Sequence, residues 1–169
     1  QPTEDILRLF SRVIYLLIKF LFHKKYSNIK EINRILIIRR NKLGDAISVL
    51  PLIQVLKEKY PDAVIDVIAT PYNEVIFKLS KSVNNIYTIP DRYLNNRYLV
   101  YFHPQMRKLK CQKNYDLAIG ATGSYSSATA WLAFCAPATQ RVGVISRKGS
   151  IMDLIYNIQI PQKKNYTQH

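Results

Sequence analysis

The chain has 169 residues, 48% of them hydrophobic and 21% charged, which excludes a disordered protein and suits one domain with its own core. Its formal net charge of +14 points to anionic company: nucleic acid, anionic lipid or a phosphorylated substrate. Cys111 and Cys135 fit no metal or redox spacing, and His23, His103 and His169 are scattered. This excludes a histidine-rich metal site and indicates free thiols in a reducing compartment.

Residue 1 is Gln and not Met, as expected of a processed or cut N-terminus. Ile6 to Phe22 is the most apolar stretch, yet Arg8, Ser11, Arg12 and Lys19 interrupt it. A membrane span needs about 18 or more apolar residues in a row, and no small-residue cleavage site follows, as a signal peptide would require. The remaining reading is a basic amphipathic helix leading into His23-Lys24-Lys25. It lies either in an anionic membrane surface or across the domain with its cations solvated. Tyr26 to Asn33 is a polar connection, so residues 1–33 are expected to stand apart from a domain over 34–169.

Ile35 to Ile38 is short, β-branched and closed by charge, which predicts a strand buried on both faces. A polar turn, Arg39 to Leu43, follows. Gly44 would let the backbone pass closely or take a positive φ, and Asp45 stands where a helix would begin. From Ile47 to Leu56 the apolar spacing is helical, ending in Lys57-Glu58-Lys59 before Pro61. Strand, glycine turn and helix form the opening unit of an α/β domain, whose first loop faces the ligand crevice. Asp45 is therefore the first candidate functional residue.

Ala63 to Ala69 predicts a second strand, Tyr72 to Ser80 a short helix, and Asn85 to Ile89 a weaker third strand. Asp91 to Asn114 interleaves Arg92, Arg97, Arg107, Lys108, Lys110 and Lys113 with Tyr93, Tyr98, Tyr101 and Phe102. Such a stretch can bind single-stranded nucleic acid. The preferred reading is one amphipathic helix, tyrosines on the sheet and lysines in water, since no recognisable nucleic-acid module surrounds it. Tyr115 to Gly120 is another buried strand. In the turn Ala121 to Ser127, the Gly120, Thr122, Gly123 and Ser124 backbone either cradles an anion or makes an ordinary capped turn. Ala128 to Cys135 predicts a small apolar helix, Gln140 to Val144 a last strand, and Ile151 to Ile160 a short helix. Four or five strands alternating with helices predict a parallel sheet covered on both faces.

Two stretches carry a family resemblance. "ILIIRRNKLGDAISVLPLIQVLKEKYPDAVIDVIATP" is similar to the opening of the ADP-heptose:lipopolysaccharide heptosyltransferases, glycosyltransferase family 9. "YDLAIGATGSYSSATAWLAFCAPATQRVG" resembles that family's next signature, and the resemblance runs from about Ile35 to His169. It implies a Rossmann-like domain, the N-terminal acceptor half of a GT-B glycosyltransferase, with a nucleotide-sugar domain expected beyond His169. It further implies Asp45 as general base, and Arg39, Arg40 and Lys42 near the same turn as contacts for acceptor phosphates. The implied acceptor is the inner core or lipid A part of lipopolysaccharide, and the donor is ADP-heptose, held mainly by the other domain. No metal or other cofactor is implied, and the location is the inner face of the cytoplasmic membrane. On this resemblance the 169 residues alone should not transfer sugar. The alternatives are a non-catalytic, membrane-associated acceptor-binding module or a nucleic-acid-binding Rossmann-like domain.

Overall fold

The computed structural model describes residues 31–40, 43–95, 97–112 and 114–162. The helix expected over Ile6 to Phe22, with the membrane contact assigned to it, and the candidate Lys42 lie outside the described residues. Strand β1 (Arg34–Ile38) pairs in parallel with β2 (Val64–Ala69) on one side and with β4 (Tyr115–Gly120) on the other. β3 (Asn85–Thr88), β5 (Ala138–Val144) and β6 (Ile158–Ile160) complete the order β3-β2-β1-β4-β5-β6, parallel throughout. The fold is thus the expected Rossmann-like α/β sheet, with one more strand than the upper count.

Alternate residues of the central strands supply two cores. Ile35 and Ile37 of β1 face one with Ile65 and Val67; Leu36 and Ile38 face the other with Ile68 and Ala118. Burial on both faces is why β1 reads as a continuous apolar run rather than an alternating one.

The helix expected after β1 is two helices, α1 (Leu43–Ile47) and α2 (Leu50–Lys59). Pro51 explains the break: it has no N–H to donate to the Ile47 carbonyl, and proline suits a first helical turn instead. Gly44 meets neither expectation. A Cβ there would touch nothing within 4 Å, and among the described residues the one glycine at positive φ is Gly149.

α3 (Glu74–Lys78) joins β2 to β3. The stretch read as one amphipathic helix is three: α4 (Arg92–Asn95), α5 (Arg97–Phe102) and α6 (Pro104–Lys110). His103 and Pro104 divide the last two, the His103 ring accepting from the Gln105 N–H as an N-cap. Ile151 to Ile160 also divides, into a 3-10 helix (Ile151–Ile155) and β6.

α7 (Ser127–Cys135) starts one residue before its expected position, capped by the Ser126 hydroxyl, which accepts from the Thr129 N–H at 3.2 Å. Its far end is closed by Arg141, which donates from Nε to the Ala133 carbonyl at 2.7 Å and from Nη2 to that of Ala136 at 3.2 Å. Two residues on, Gly143 makes room for the buried Tyr156 ring: a Cβ there would lie 2.2 Å from a ring carbon. Arg141 and Gly143 are therefore structural. Gly143→Ala is expected to destabilise the fold by about 3 kcal/mol, measured by denaturant unfolding. A loss below about 1 kcal/mol would mean that Tyr156 is free to move away.

Candidate active site

Strand order reverses between β1 and β4, neighbours in the sheet that are far apart in the chain. Ligand crevices of open α/β sheets form at such a point, beyond the carboxyl ends of the strands. A cleft of about 960 Å³ lies there. One side is Arg39, Asp45, Ser48 and Leu52; the other is the turn from Gly120 to Ser127, with Val142, Val144 and Ile160 from the ends of β5 and β6.

The turn leaving β1 is fixed before any side chain enters the cleft. Arg39 donates its backbone N–H to the Ile68 carbonyl at 3.0 Å, extending the β1–β2 pairing by one residue. The Asn73 amide donates to the carbonyls of Arg39 and Arg40, both at 3.2 Å, and its oxygen accepts from the Thr70 N–H at 2.8 Å. Asn73 thus ties the loop after β1 to the loop after β2.

From that fixed point the Arg39 side chain spans the cleft floor. Nη1 donates to the carbonyl of Ala121, in the turn after β4, and Nη2 pairs with Asp45 Oδ2 at 2.9 Å. Arg39 is 7% exposed and Asp45 46%. A buried planar cation therefore holds a carboxylate whose other oxygen remains open to a ligand. Asp45 falls in the first turn of α1, close to its expected place at a helix start. Its carboxylate belongs to the cleft.

Of the other candidates, Gly120, Thr122, Gly123 and Ser124 line the cleft. Arg40 is turned elsewhere, pairing through Nη2 with Asp91 at 2.7 Å, and Gly44 is not among the lining residues. One backbone N–H of the anion-cradle reading is already engaged, and the alternative of a capped turn is present as well. The Thr122 N–H donates to the Gly120 carbonyl at 2.9 Å, and the Ser126 oxygen is the α7 cap. Gly120 is needed for packing, since a Cβ there would lie 3.0 Å from the Tyr156 hydroxyl and 3.1 Å from Thr129 Cγ2.

The structure adds Ser48, Tyr125, Ser126 and Ser127 to the wall. With Thr122 and Ser124 these make a cleft rich in hydroxyls, suited to hydrogen bonding a polyhydroxylated ligand. The run Thr-Gly-Ser-Tyr-Ser-Ser showed that signal in the sequence, but Ser48 becomes visible only once α1 is placed. Among the described lining residues Arg39 is the one cation and Asp45 the one carboxylate.

No protein-family model matches the sequence, and no curated protein matches it. Solved structures do match. Escherichia coli heptosyltransferase WaaC, solved with ADP-2-deoxy-2-fluoro heptose, superposes with a TM-score of 0.62 at 20% identity, over 79% of this chain and 44% of its own. A family 9 glycosyl transferase from Veillonella parvula DSM 2008 gives 0.62 at 15% identity, over 79% and 36%. E. coli ADP-heptose lps heptosyltransferase II gives 0.55 at 25% identity, over 75% and 34%. The chain spans less than half the length of each of these structures. Over that shared part, it is built on the fold of the heptosyltransferases of glycosyltransferase family 9.

Proposed function

We propose that this chain supplies the acceptor-binding half and the general base of an inverting glycosyltransferase that moves heptose from ADP-heptose to the lipopolysaccharide inner core. The observation that carries this reading is the placement of Asp45, the one carboxylate among the described cleft residues, held by buried Arg39 opposite a wall of hydroxyls. An acceptor hydroxyl bound against Ala121 to Ser127 would attack the anomeric carbon of the donor. Its proton passes to Asp45, the new glycosidic bond forms, and the bond to the diphosphate breaks with its electron pair leaving on ADP. Attack from the side opposite the leaving group inverts the anomeric centre. A positioned carboxylate is the group such a step requires.

The same reading places the protein peripherally, at the inner face of the cytoplasmic membrane. Its net charge and the basic apolar stretch Ile6 to Lys25 support this. Among the described residues no helix is long and apolar enough to cross a membrane.

The 169 residues by themselves are expected to bind acceptor without transferring sugar. Turnover needs the donor held in line and charge stabilisation on the departing diphosphate. Arg39, the one cation among the described cleft residues, is committed to Asp45 and Ala121.

Calorimetry with heptose-deficient lipopolysaccharide tests the binding half of the proposal. Gly123 is exposed and open, with nothing within 4 Å of an added Cβ. Gly123→Trp should therefore fill the cleft without disturbing the fold, and weaken acceptor binding by about tenfold or more. Unchanged affinity would place the acceptor outside this cleft.

A further inference from the structure

The basic, aromatic stretch after β3 is not used by the cleft, and its side chains do not lie as an amphipathic helix would place them. Val100, Met106 and Leu109 take the positions on the sheet and are fully buried. Among the described residues of the stretch, the large apolar ones left outside are Phe102, 70% exposed, Leu99, 50%, and Tyr101, 47%. Leu99 and Phe102 stand three apart on α5 and so share one face of it. Leaving such residues exposed to water has no folding benefit, and a cluster of them marks an interaction surface.

The partner is identified by charge and by ring geometry. From Asp91 to Asn114 the sequence holds six Lys or Arg against the single carboxylate of Asp91, which Arg40 already engages. Arg92, Arg107 and Lys108 of the same stretch are exposed. This complements an anionic surface. Single-stranded nucleic acid would need flat, open rings to stack on. The Lys110 ammonium instead covers the Tyr101 ring at 2.8 Å from its centroid, and the Tyr101 and Phe102 rings meet edge to face at 78°. Leu99 offers no ring at all. Exposed apolar anchors, one of them the aliphatic Leu99, within a strongly basic stretch fit the headgroup region of a bilayer.

We infer that Leu99, Tyr101 and Phe102, helped by the exposed cations Arg92, Arg107 and Lys108 of the same stretch, dock the folded domain on an anionic lipid bilayer. This contact rests on exposure and charge rather than on the glycosyltransferase reading. α5 packs beside α7, whose first turn lines the cleft, so docking here would hold the cleft close to the lipid surface.

The full chain carries a natural reporter. Cys111 is exposed next to Lys110, while Cys135 is buried, its thiol pushed up to about 11 by desolvation. Maleimide dyes should therefore label Cys111 selectively. With an environment-sensitive dye at Cys111, phosphatidylglycerol vesicles are expected to shift its emission to the blue. Phosphatidylcholine vesicles should do so far less, and added salt should reverse the shift. The same dye on Glu58→Cys in a Cys111→Ser background, on the opposite face of the sheet, should stay unchanged. Leu99→Ser with Phe102→Ser should weaken binding to the anionic vesicles by about tenfold or more. An equal response at position 58, full binding by the double variant, or absence of vesicle binding would each overturn the proposal. So would tighter binding to single-stranded RNA than to the vesicles.

Discussion

Asp45→Asn is expected to lower sugar transfer by about 10²–10⁴-fold in the complete enzyme, with folding stability nearly unchanged. Asn keeps the shape of the side chain and an oxygen for Arg39 Nη2, now 2.9 Å from Asp45 Oδ2. What it loses is the capacity to take the acceptor proton. Since Asp45 is nearly half exposed, the substitution removes little buried charge, and the Arg39 contact to the Ala121 carbonyl remains. Acceptor affinity should therefore hold while kcat falls. Matched rate assays and calorimetry on the two forms check this. Near wild-type turnover by the variant would remove Asp45 from the role of base.

The second large effect lies at the opposite end of the sheet. Asp66, in the middle of β2, is fully buried and is the common acceptor for three separate elements. Its Oδ1 accepts from the Asn85 backbone N–H at 3.0 Å and from the Asn85 amide at 2.9 Å. Its Oδ2 accepts from the Tyr115 hydroxyl at 2.6 Å and pairs with Arg34 Nη2 at 3.3 Å. The carboxylate thus joins β1, β2, β3 and β4 at their amino ends. Burial first, and then the bond to Asp66, raise the Tyr115 hydroxyl far above its ordinary pKa, so it stays a donor. Asp66→Ala would leave a guanidinium, a phenol and an amide facing a void. It is expected to cost about 3–5 kcal/mol and lower the melting temperature by roughly 10 °C or more. Thermal and urea unfolding measure it, and a loss under about 1 kcal/mol would show that water satisfies the stranded donors.

How much of this was legible in the sequence depends on how far each determinant reaches. β1 and β4 are readable because central parallel strands are apolar run by run, and their closing charge or glycine marks the crevice. The split between α1 and α2 was also local, and Pro51 carries it. Pro104 likewise divides α5 from α6, but the continuous supply of cations and tyrosines around it suggested a single helix. Ile158–Ile160 does not read as a strand in the sequence, because a short apolar run fits either period. It becomes a strand through its pairing with Val142 to Val144.

Long-range determinants left weaker traces. The sequence singles out Asp45 and Arg39, but not their ion pair or the reach of Arg39 to Ala121, 82 residues on. Arg40, adjacent and chemically identical, goes to Asp91 instead, because successive residues leaving a strand point to opposite faces. Asp66 could be seen as an acid in an apolar strand, whereas its partners at positions 34, 85 and 115 come together only through the sheet. The need for glycine at 143 is set by Tyr156, which no local pattern announces.

Backbone amide shifts of the isotopically labelled chain, followed while heptose-deficient core oligosaccharide is added, test the central claim most directly. Acceptor binding in the cleft predicts that Asp45 and the amides from Ala121 to Ser127 move together and saturate at one affinity. The account is contradicted if those amides stay in place while shifts appear elsewhere, for example in the groove that Ile47, Ile76 and Leu79 line between α2 and α3.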